Sequence, residues 1–238
     1  MKSTAGLAAT LIAIALPCTA AAPSTPLAIS ASYDVLWNGG RVAVMKETFE
    51  AKDGGYRIVS ESQAVGLLAM FVREPLRMVS SGQLIASGLR PLHFESKRGD
   101  NDPRWARAAF DWQAGQLAIT YRGRTETLTL PPATQDLLSS MYQFMFVATD
   151  QSQQLELSMT NGRKLDRYHY TVQPGVEIET PLGRMATLRL VRQHRPDESG
   201  AEVWLAPQHR YLPVKVLILD EDGSRYEQVI TKLEVKSP

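Results

Sequence analysis

The four histidines, His93, His169, His194 and His209, are the first residues whose chemistry could mark a metal site. No two of them have the helical or hairpin spacing that presents two imidazoles to one ion. The single cysteine, Cys18, excludes a cysteine-rich zinc or iron–sulfur centre. We therefore predict no metal site.

Nucleophilic catalysis and nucleotide cofactors have equally little support in the sequence. Beyond residue 22, the chain contains neither Gly-x-Ser-x-Gly nor Ser-x-x-Lys, the patterns that expose and activate a serine. It also contains no Gly-x-Gly-x-x-Gly motif and no phosphate-binding loop of the Walker type. We therefore predict no catalytic residue and no cofactor.

Paired carboxylates are the remaining catalytic possibility. A glycosidase needs two carboxyl groups at a set separation, and sequence spacing does not place them. Trp105 and Trp112 could serve such an enzyme as platforms for a polysaccharide. The aspartates that could converge are Asp100, Asp102, Asp111, Asp136 and Asp166.

A basic stretch between residues 73 and 107 could form a patch for an anionic head group or a polysaccharide. Acidic residues such as Glu74 and Glu95 are interspersed in it, which favours an ordinary solvated strand face. The whole chain of 238 residues has 26 Lys+Arg and 25 Asp+Glu. A chain this close to neutral lacks the basic excess of a general nucleic-acid binder. We expect no nucleic-acid partner.

The first 22 residues have the order of a secretory signal peptide: a positive start, an apolar run and small residues before a cleavage site. The apolar run of about 12 residues is shorter than the roughly 20 that a membrane-spanning helix needs, although a retained anchor is the alternative. Pro17 before Cys18 does not fit a lipoprotein signal, so we assign Cys18 to the removed segment. We expect cleavage between Ala20 and Ala22, a periplasmic protein and no integral membrane segment afterwards.

Period-2 alternation of apolar residues dominates the rest of the chain, as in Tyr33, Val35 and Trp37 before the turn Asn38-Gly39. This pattern is typical of antiparallel hairpins. It predicts roughly a dozen strands. We expect a leader over residues 23–30 and a single mainly β domain over 31–236, built on one large curved antiparallel sheet. Two half-sheets divided near residues 132–151 are the alternative.

Two segments interrupt the alternation. Residues 135–148 have a helical apolar face, with Thr134 as a possible cap and Asp136 in the first turn. We predict one helix here, buried against the concave face of the sheet. Residues 64–71 are continuously apolar and predict a short helix or a buried loop.

The apolar residues of these two segments suggest a ligand-binding role, because methionine-rich surfaces adapt to varied partners. Filling of the core is the simpler alternative. The candidate ligand-binding residues, including the two tryptophans, are Leu67, Met70, Phe71, Trp105, Trp112, Met141 and Met145.

Several short motifs follow one another along the chain: Ser81-Gly82, Ser87-Gly88-Leu89-Arg90-Pro91, Phe110-Asp111-Trp112, Gln135-Asp136-Leu137-Leu138-Ser139, Thr180-Pro181-Leu182-Gly183, Val203-Trp204-Leu205-Ala206-Pro207, Tyr211-Leu212-Pro213-Val214 and Asp222-Gly223. This series, over about residues 31 to 235, resembles the DUF3108 family of exported bacterial proteins. The resemblance implies a β-rich periplasmic protein with a half-barrel or barrel-like sheet, similar to outer-membrane lipoprotein carriers. It supplies no catalytic residues.

Three hypotheses for function result, in this order. The first is a non-enzymatic protein that binds or carries a lipid or other amphiphilic envelope component, with residues 64–71 and 135–148 as a plug or lid. The second is a structural or assembly module that binds envelope proteins through an open sheet edge. The third is an enzyme acting on an envelope polysaccharide.

Overall fold

The computed structural model describes residues 28–147, 153–194 and 198–236, so the predicted signal segment 1–22 lies outside the described residues. Strand β1 begins at Ala28, inside the segment predicted as a leader. Within the described residues the strands are β1 Ala28–Trp37, β2 Gly40–Lys52, β3 Gly55–Ala64, β4 Leu76–Ile85, β5 Gly88–Arg98, β6 Ala106–Asp111, β7 Gln116–Tyr121, β8 Arg124–Thr129, β9 Gln135–Asp136, β10 Gln154–Thr160, β11 Leu165–Thr180, β12 Gly183–Arg192, β13 Gly200–Ala206, β14 Leu212–Leu219 and β15 Arg225–Lys236.

All 15 described strands belong to one sheet, in the order β8-β7-β6-β5-β4-β3-β2-β1-β15-β14-β13-β12-β11-β10-β9. Most neighbours are consecutive hairpins. The turn between β1 and β2 shows why, since Asn38 and Gly39 have φ angles of 47° and 81°, as a tight two-residue hairpin turn requires. Strand β1 also pairs with β15, which joins the two ends of the described chain in the middle of the sheet.

The two edges of the sheet lie close to each other. Strands β8 and β9 occupy opposite edges, yet only residues 130–134 connect them. Five residues span at most about 20 Å. The turn after β10 bridges the gap, since Gly162 lies against Ala106 and the Arg163 guanidinium is 5.0 Å from the Tyr121 ring centre. The described sheet is therefore curved and barrel-like without being closed, which confirms the predicted fold class.

The one α-helix of the described residues, α1, runs from Leu137 to Gln143 inside this curve. It is shorter than the predicted 135–148: residues 135–136 form β9, which pairs in parallel with β10, and residue 148 lies outside the described residues. Asp136, and not Thr134, caps the helix. Its carboxylate accepts the backbone N–H groups of Leu138 and Ser139, both at 2.9 Å.

Helix α1 packs between two apolar clusters. Leu138 and Tyr142 belong to the first, which comes mostly from strands β2 to β7. Phe144, directly after the helix, belongs to the second, which comes from strands β11 to β13. The helix thus fills part of the space inside the sheet, as the apolar pattern of its residues predicts.

Residues 64–71 form a short 3-10 helix, Gly66–Met70, between β3 and β4. The predicted short helix is therefore present, but it buries none of its residues. A second 3-10 helix, Pro207–His209, follows β13. Among the described residues, we find no helix with the length and apolarity to cross a membrane.

Candidate functional site

A cavity of about 330 Å³ lies between α1 and the inner face of the sheet. This volume is at the lower end of the range for small-molecule sites. We call it the inner cavity. Its lining is mainly apolar and consists of Met45, Glu47, Met78, Leu137, Leu138, Met141, Met159, Asn161, Tyr168, Tyr170, Arg192, Gly200, Ala201, Val203, Val216, Ile218 and Gln228.

The inner cavity has an exposed end and a buried end. Ile218, near the end of β14, is 41% exposed, whereas Met45 and Leu138 are each 3% exposed. Ala201 pairs directly with Ile218 across the sheet, so both side chains lie on the same face. The cavity thus reaches solvent beside Ile218 and ends against the first turn of α1.

A row of apolar side chains extends from Ile218 and forms the rim of the exposed end of the cavity. Tyr226 pairs with Ile218 on one side and with Trp37 on the other, which places all three on one face. Trp37 and Tyr226 are both exposed. The 3-10 helix after β3 lies at the same end of the sheet, because the last residue of β3, Ala64, pairs with Ala43 near the start of β2.

Four large apolar residues are exposed on this 3-10 helix and directly after it. We call Leu67, Leu68, Met70 and Phe71 the apolar tip. Leu67 and Phe71 are 82% and 83% exposed, and Met70 is 69% exposed. The predicted ligand-binding residues Leu67, Met70 and Phe71 therefore lie on the outer surface, outside the lining of the inner cavity.

The two candidate methionines of the helical segment occupy different places. Met141 lines the inner cavity, from the face of α1 that also carries Leu137. Met145, after the end of α1, packs against the cluster from β2 to β7. The structure thus places one of the seven candidate residues, Met141, in the cavity lining.

The two candidate tryptophans lie at opposite ends of β6. Trp105 precedes the strand and has the Arg107 guanidinium 4.3 Å from its ring centre. Trp112 follows it, and its indole N–H donates to the carbonyl oxygen of Pro91 at 2.6 Å. Arg90 lies over the Trp112 ring at 5.1 Å. These contacts give both rings a packing role.

Glu47 is the buried carboxyl group of the inner cavity, and it is not among the residues singled out from the sequence. It lies on β2 between Met45 and Phe49, on the inward face of the strand. The Tyr142 hydroxyl donates to its Oε2 at 3.3 Å. Burial raises the pKa of Glu47 to about 7. Its one sequence signal is its position in an otherwise apolar alternating row.

Asp136 is the second buried carboxyl group, and its hydrogen bonds are those of a helix cap. Ser80 donates to it at 2.6 Å, in addition to the two backbone N–H groups of α1. Burial raises its pKa to about 6, and these hydrogen bonds partly offset the effect. All of its contacts hold the helix in place.

The other four candidate aspartates make separate local contacts. Asp102 accepts the backbone N–H groups of Arg98 and Arg104, and Asp111 stabilises the turn after β6. Asp100 pairs with Lys97, and Asp166 pairs with Lys164. Among the described residues, these aspartates therefore do not converge on one another, and no group of three or more His, Cys, Asp or Glu is arranged to hold a metal ion.

The family motifs meet at the helix. The side-chain amide of Gln135 donates to the carbonyl oxygen of Leu89 at 2.9 Å, and the backbone N–H of Leu89 donates to Gln143 at 2.7 Å. Gly88 has a φ angle of 106°, and a side chain there would clash with Gln143. Two separate motifs thus fix α1 against β5.

Solved structures show what the fold resembles. A β-barrel-like DUF1849 protein from Brucella abortus matches 89% of this chain and 99% of its own, with 11% identity and a TM-score of 0.57. A candidate lipoprotein from Parabacteroides distasonis matches 89% of this chain and 97% of its own, with 11% identity and a TM-score of 0.33. A domain named for outer membrane lipoprotein sorting, from Vibrio parahaemolyticus, matches 87% of this chain and 85% of its own, with 9% identity and a TM-score of 0.26.

At these identities the first likeness concerns the fold alone, and the other two are too weak to support an inference. No curated protein sequence matches the chain significantly. The model of a family described as "Protein of unknown function (DUF3108)" matches residues 32–231. The chain therefore belongs to the DUF3108 family, as its series of motifs predicts.

Proposed function

We propose that this protein is a non-enzymatic periplasmic binding protein that holds an amphiphilic component of the cell envelope. The observation that supports this function is the inner cavity of about 330 Å³, which is lined mainly by apolar side chains. The apolar part of the ligand occupies this cavity. Its polar part stays at the exposed end, beside Ile218.

The lining suits an apolar chain of variable shape. Four methionines, Met45, Met78, Met141 and Met159, contribute to it. Methionine is unbranched and polarizable, so it adapts to the shape of what it contacts. Burial of apolar ligand surface against such walls contributes about 25 cal/mol per Å² to the free energy of transfer from water, before the costs of association.

The exposed tyrosine and tryptophan at the rim fit the same function. Trp37 and Tyr226 combine an apolar ring with a polar group, and such side chains favour boundaries between water and apolar material. The apolar tip lies at the same end of the sheet. An amphiphile that leaves a lipid surface would enter at this end.

Native mass spectrometry of the mature protein, isolated from the periplasm of its own host, tests this function. We expect a co-purifying amphiphile that organic extraction releases. Recombinant protein freed of ligand should then bind a single-chain amphiphile with a stoichiometry of one. A ligand-free mass together with no binding of such a probe would contradict the proposal.

The apolar tip favours a second candidate function, an assembly module that binds another envelope protein. Exposed apolar patches of this kind mark interaction sites in soluble proteins. The residues involved are the apolar tip itself, and no ligand in the inner cavity is required. A photo-reactive amino acid at Phe71 distinguishes the two functions, because it forms a crosslink to a defined protein only in the second.

A further inference from the structure

Arg192, the last residue of β12, lies between two spaces of opposite polarity. One is the inner cavity, and the other is a surface groove of about 340 Å³. Tyr168 is the other residue that lines both spaces. We call this second space the polar groove. It is lined by Lys164, Asp166, Arg167, Tyr168, His169, Arg192, Gln193, Glu198, Ser199 and Glu221.

The Arg192 guanidinium stands apart from the other cations of the polar groove. Its carbon atom is 4.7 Å from the ring centre of Tyr168, which supports one face of the group. Lys164 is paired with Asp166 at 2.6 Å, and Arg167 is paired with a glutamate of β10 at 3.3 Å. None of the ion pairs found among the described residues involves Arg192.

The neighbouring carboxylate of the groove is already engaged. Asp166 accepts the hydroxyl group of Tyr168 at 3.0 Å as well as the Lys164 ammonium. The Tyr168 ring is thereby held in its position beneath Arg192. A guanidinium oriented in this way presents several N–H donors in one plane, an arrangement that matches the oxygens of a phosphate or carboxylate.

We propose that Arg192 binds the head group of the ligand, and that the ligand is a single-chain amphiphile with an anionic head. The chain occupies the inner cavity, and the phosphate, sulfate or carboxylate head meets Arg192 at the border with the polar groove. This inference rests on the proposed function and adds the charge of the ligand to it. Glu198 and Glu221 also line the groove, so we expect a moderate selectivity of about tenfold.

Three probes of equal chain length test the inference: dodecyl phosphate, dodecyl maltoside and dodecyltrimethylammonium, each below its micelle concentration. We expect wild-type protein to bind the phosphate about tenfold more tightly than the other two. Arg192→Gln should weaken binding of the phosphate more than binding of the maltoside and so remove this selectivity, while Arg192→Lys should keep part of it. Arg167→Gln is the matched control, because Arg167 lines the groove but not the cavity.

The outcomes test the anionic charge of the ligand separately from the proposal that the cavity binds an amphiphile. Equal affinity for all three probes in both wild type and Arg192→Gln overturns the anionic head group and leaves the proposed function standing. Equal loss in Arg192→Gln and Arg167→Gln also overturns it, because general surface charge would then be responsible. Absence of binding for every probe overturns the proposed function as well. Inorganic phosphate alone should bind at least a hundredfold more weakly, and equal binding would contradict an amphiphile.

Discussion

The hydroxyl group of Ser80 donates a hydrogen bond of 2.6 Å to the carboxylate of Asp136, and this contact ties the start of α1 to strand β4. The Tyr56 hydroxyl lies 3.1 Å from the Ser80 oxygen and extends the chain of polar groups into β3. All three residues are buried. The position of α1, and with it one wall of the inner cavity, therefore depends on a polar network inside an apolar core.

Replacement of the capping carboxylate should destabilise the fold. In Asp136→Ala, the N–H groups of Leu138 and Ser139 and the hydroxyl of Ser80 lose their acceptor while they stay buried. Loss of a cap and of a buried hydrogen-bond partner together should lower the free energy of unfolding by about 2–4 kcal/mol, measured by urea denaturation. Asp111→Ala is the control, since Asp111 makes similar turn contacts at an exposed position and should cost under about 1 kcal/mol.

The free energy of unfolding should decrease as the pH rises from mildly acidic to mildly basic values, because of Glu47. Its pKa is raised from 4.5 to about 7 in the folded protein, so the folded state binds a proton that the unfolded state has released. The stabilisation is complete below about pH 4.5 and is lost as the pH rises through about 7. Between pH 5 and pH 8, wild type should lose about 2 kcal/mol more than Glu47→Gln in urea unfolding.

Two further carboxyl groups show how much of this pH dependence comes from Glu47. Asp136 also has a raised pKa, so Glu47→Gln should keep a smaller slope of the same sign. Glu50→Gln, an exposed position on the same strand, should keep the wild-type slope. A Glu47→Gln slope equal to that of wild type would show that Glu47 does not hold a proton in the folded protein.

Filling the inner cavity should weaken ligand binding. Ala201 is a half-buried residue of the cavity wall, and Ala201→Trp would place an indole in the space near Ile218. We expect at least a tenfold loss of affinity for dodecyl phosphate, measured by displacement of a fluorescent amphiphile. Overpacking should lower the free energy of unfolding by about 1–3 kcal/mol. Ala109→Trp, at an exposed position in a groove on β6 that the cavity does not include, should bind as wild type does.

The apolar tip should be dispensable for folding. Leu67 and Phe71 bury little surface, so the double variant Leu67→Ser/Phe71→Ser should change the free energy of unfolding by less than about 0.5 kcal/mol. Its binding of soluble dodecyl phosphate should equal that of wild type. Its recovery on envelope vesicles should fall several-fold, measured by flotation. Leu182→Ser, at an exposed position in the turn between β11 and β12, is the control. Equal recovery of wild type and the double variant would exclude the tip as a contact surface.

Local patterns explain most of what could be predicted about the fold. Alternating side chains and glycine-containing turns predict the hairpins, because each depends on residues close in the chain. The observed helix begins two residues later than predicted, because Thr134 and Asp136 are both competent caps. The choice depends on the pairing of Gln135 and Asp136 with Met159 and Thr160, about 24 residues away.

The candidate site depended on information of another kind. Apolar content correctly marked residues 64–71 and 135–148 as unusual, but it does not distinguish a buried side from an exposed one. Leu67 and Met141 have similar hydrophobic character, yet one is on the surface and the other lines the cavity. Glu47 and Arg192 could not be separated from ordinary surface charges until the strands were placed around them.

The amino-acid sequence was sufficient to predict the β class, the positions of the turns, the helical segment and the family, because these follow from short-range periodicity and motifs. The inner cavity, the burial of Glu47 at its inner end and the position of Arg192 at its border could be recognised only after the strands were placed in the sheet. These features depend on the curvature of the sheet. Pairing of β1 with β15 and the short connection between the two sheet edges bring together residues from strands far apart in the chain, and no local pattern specifies this arrangement.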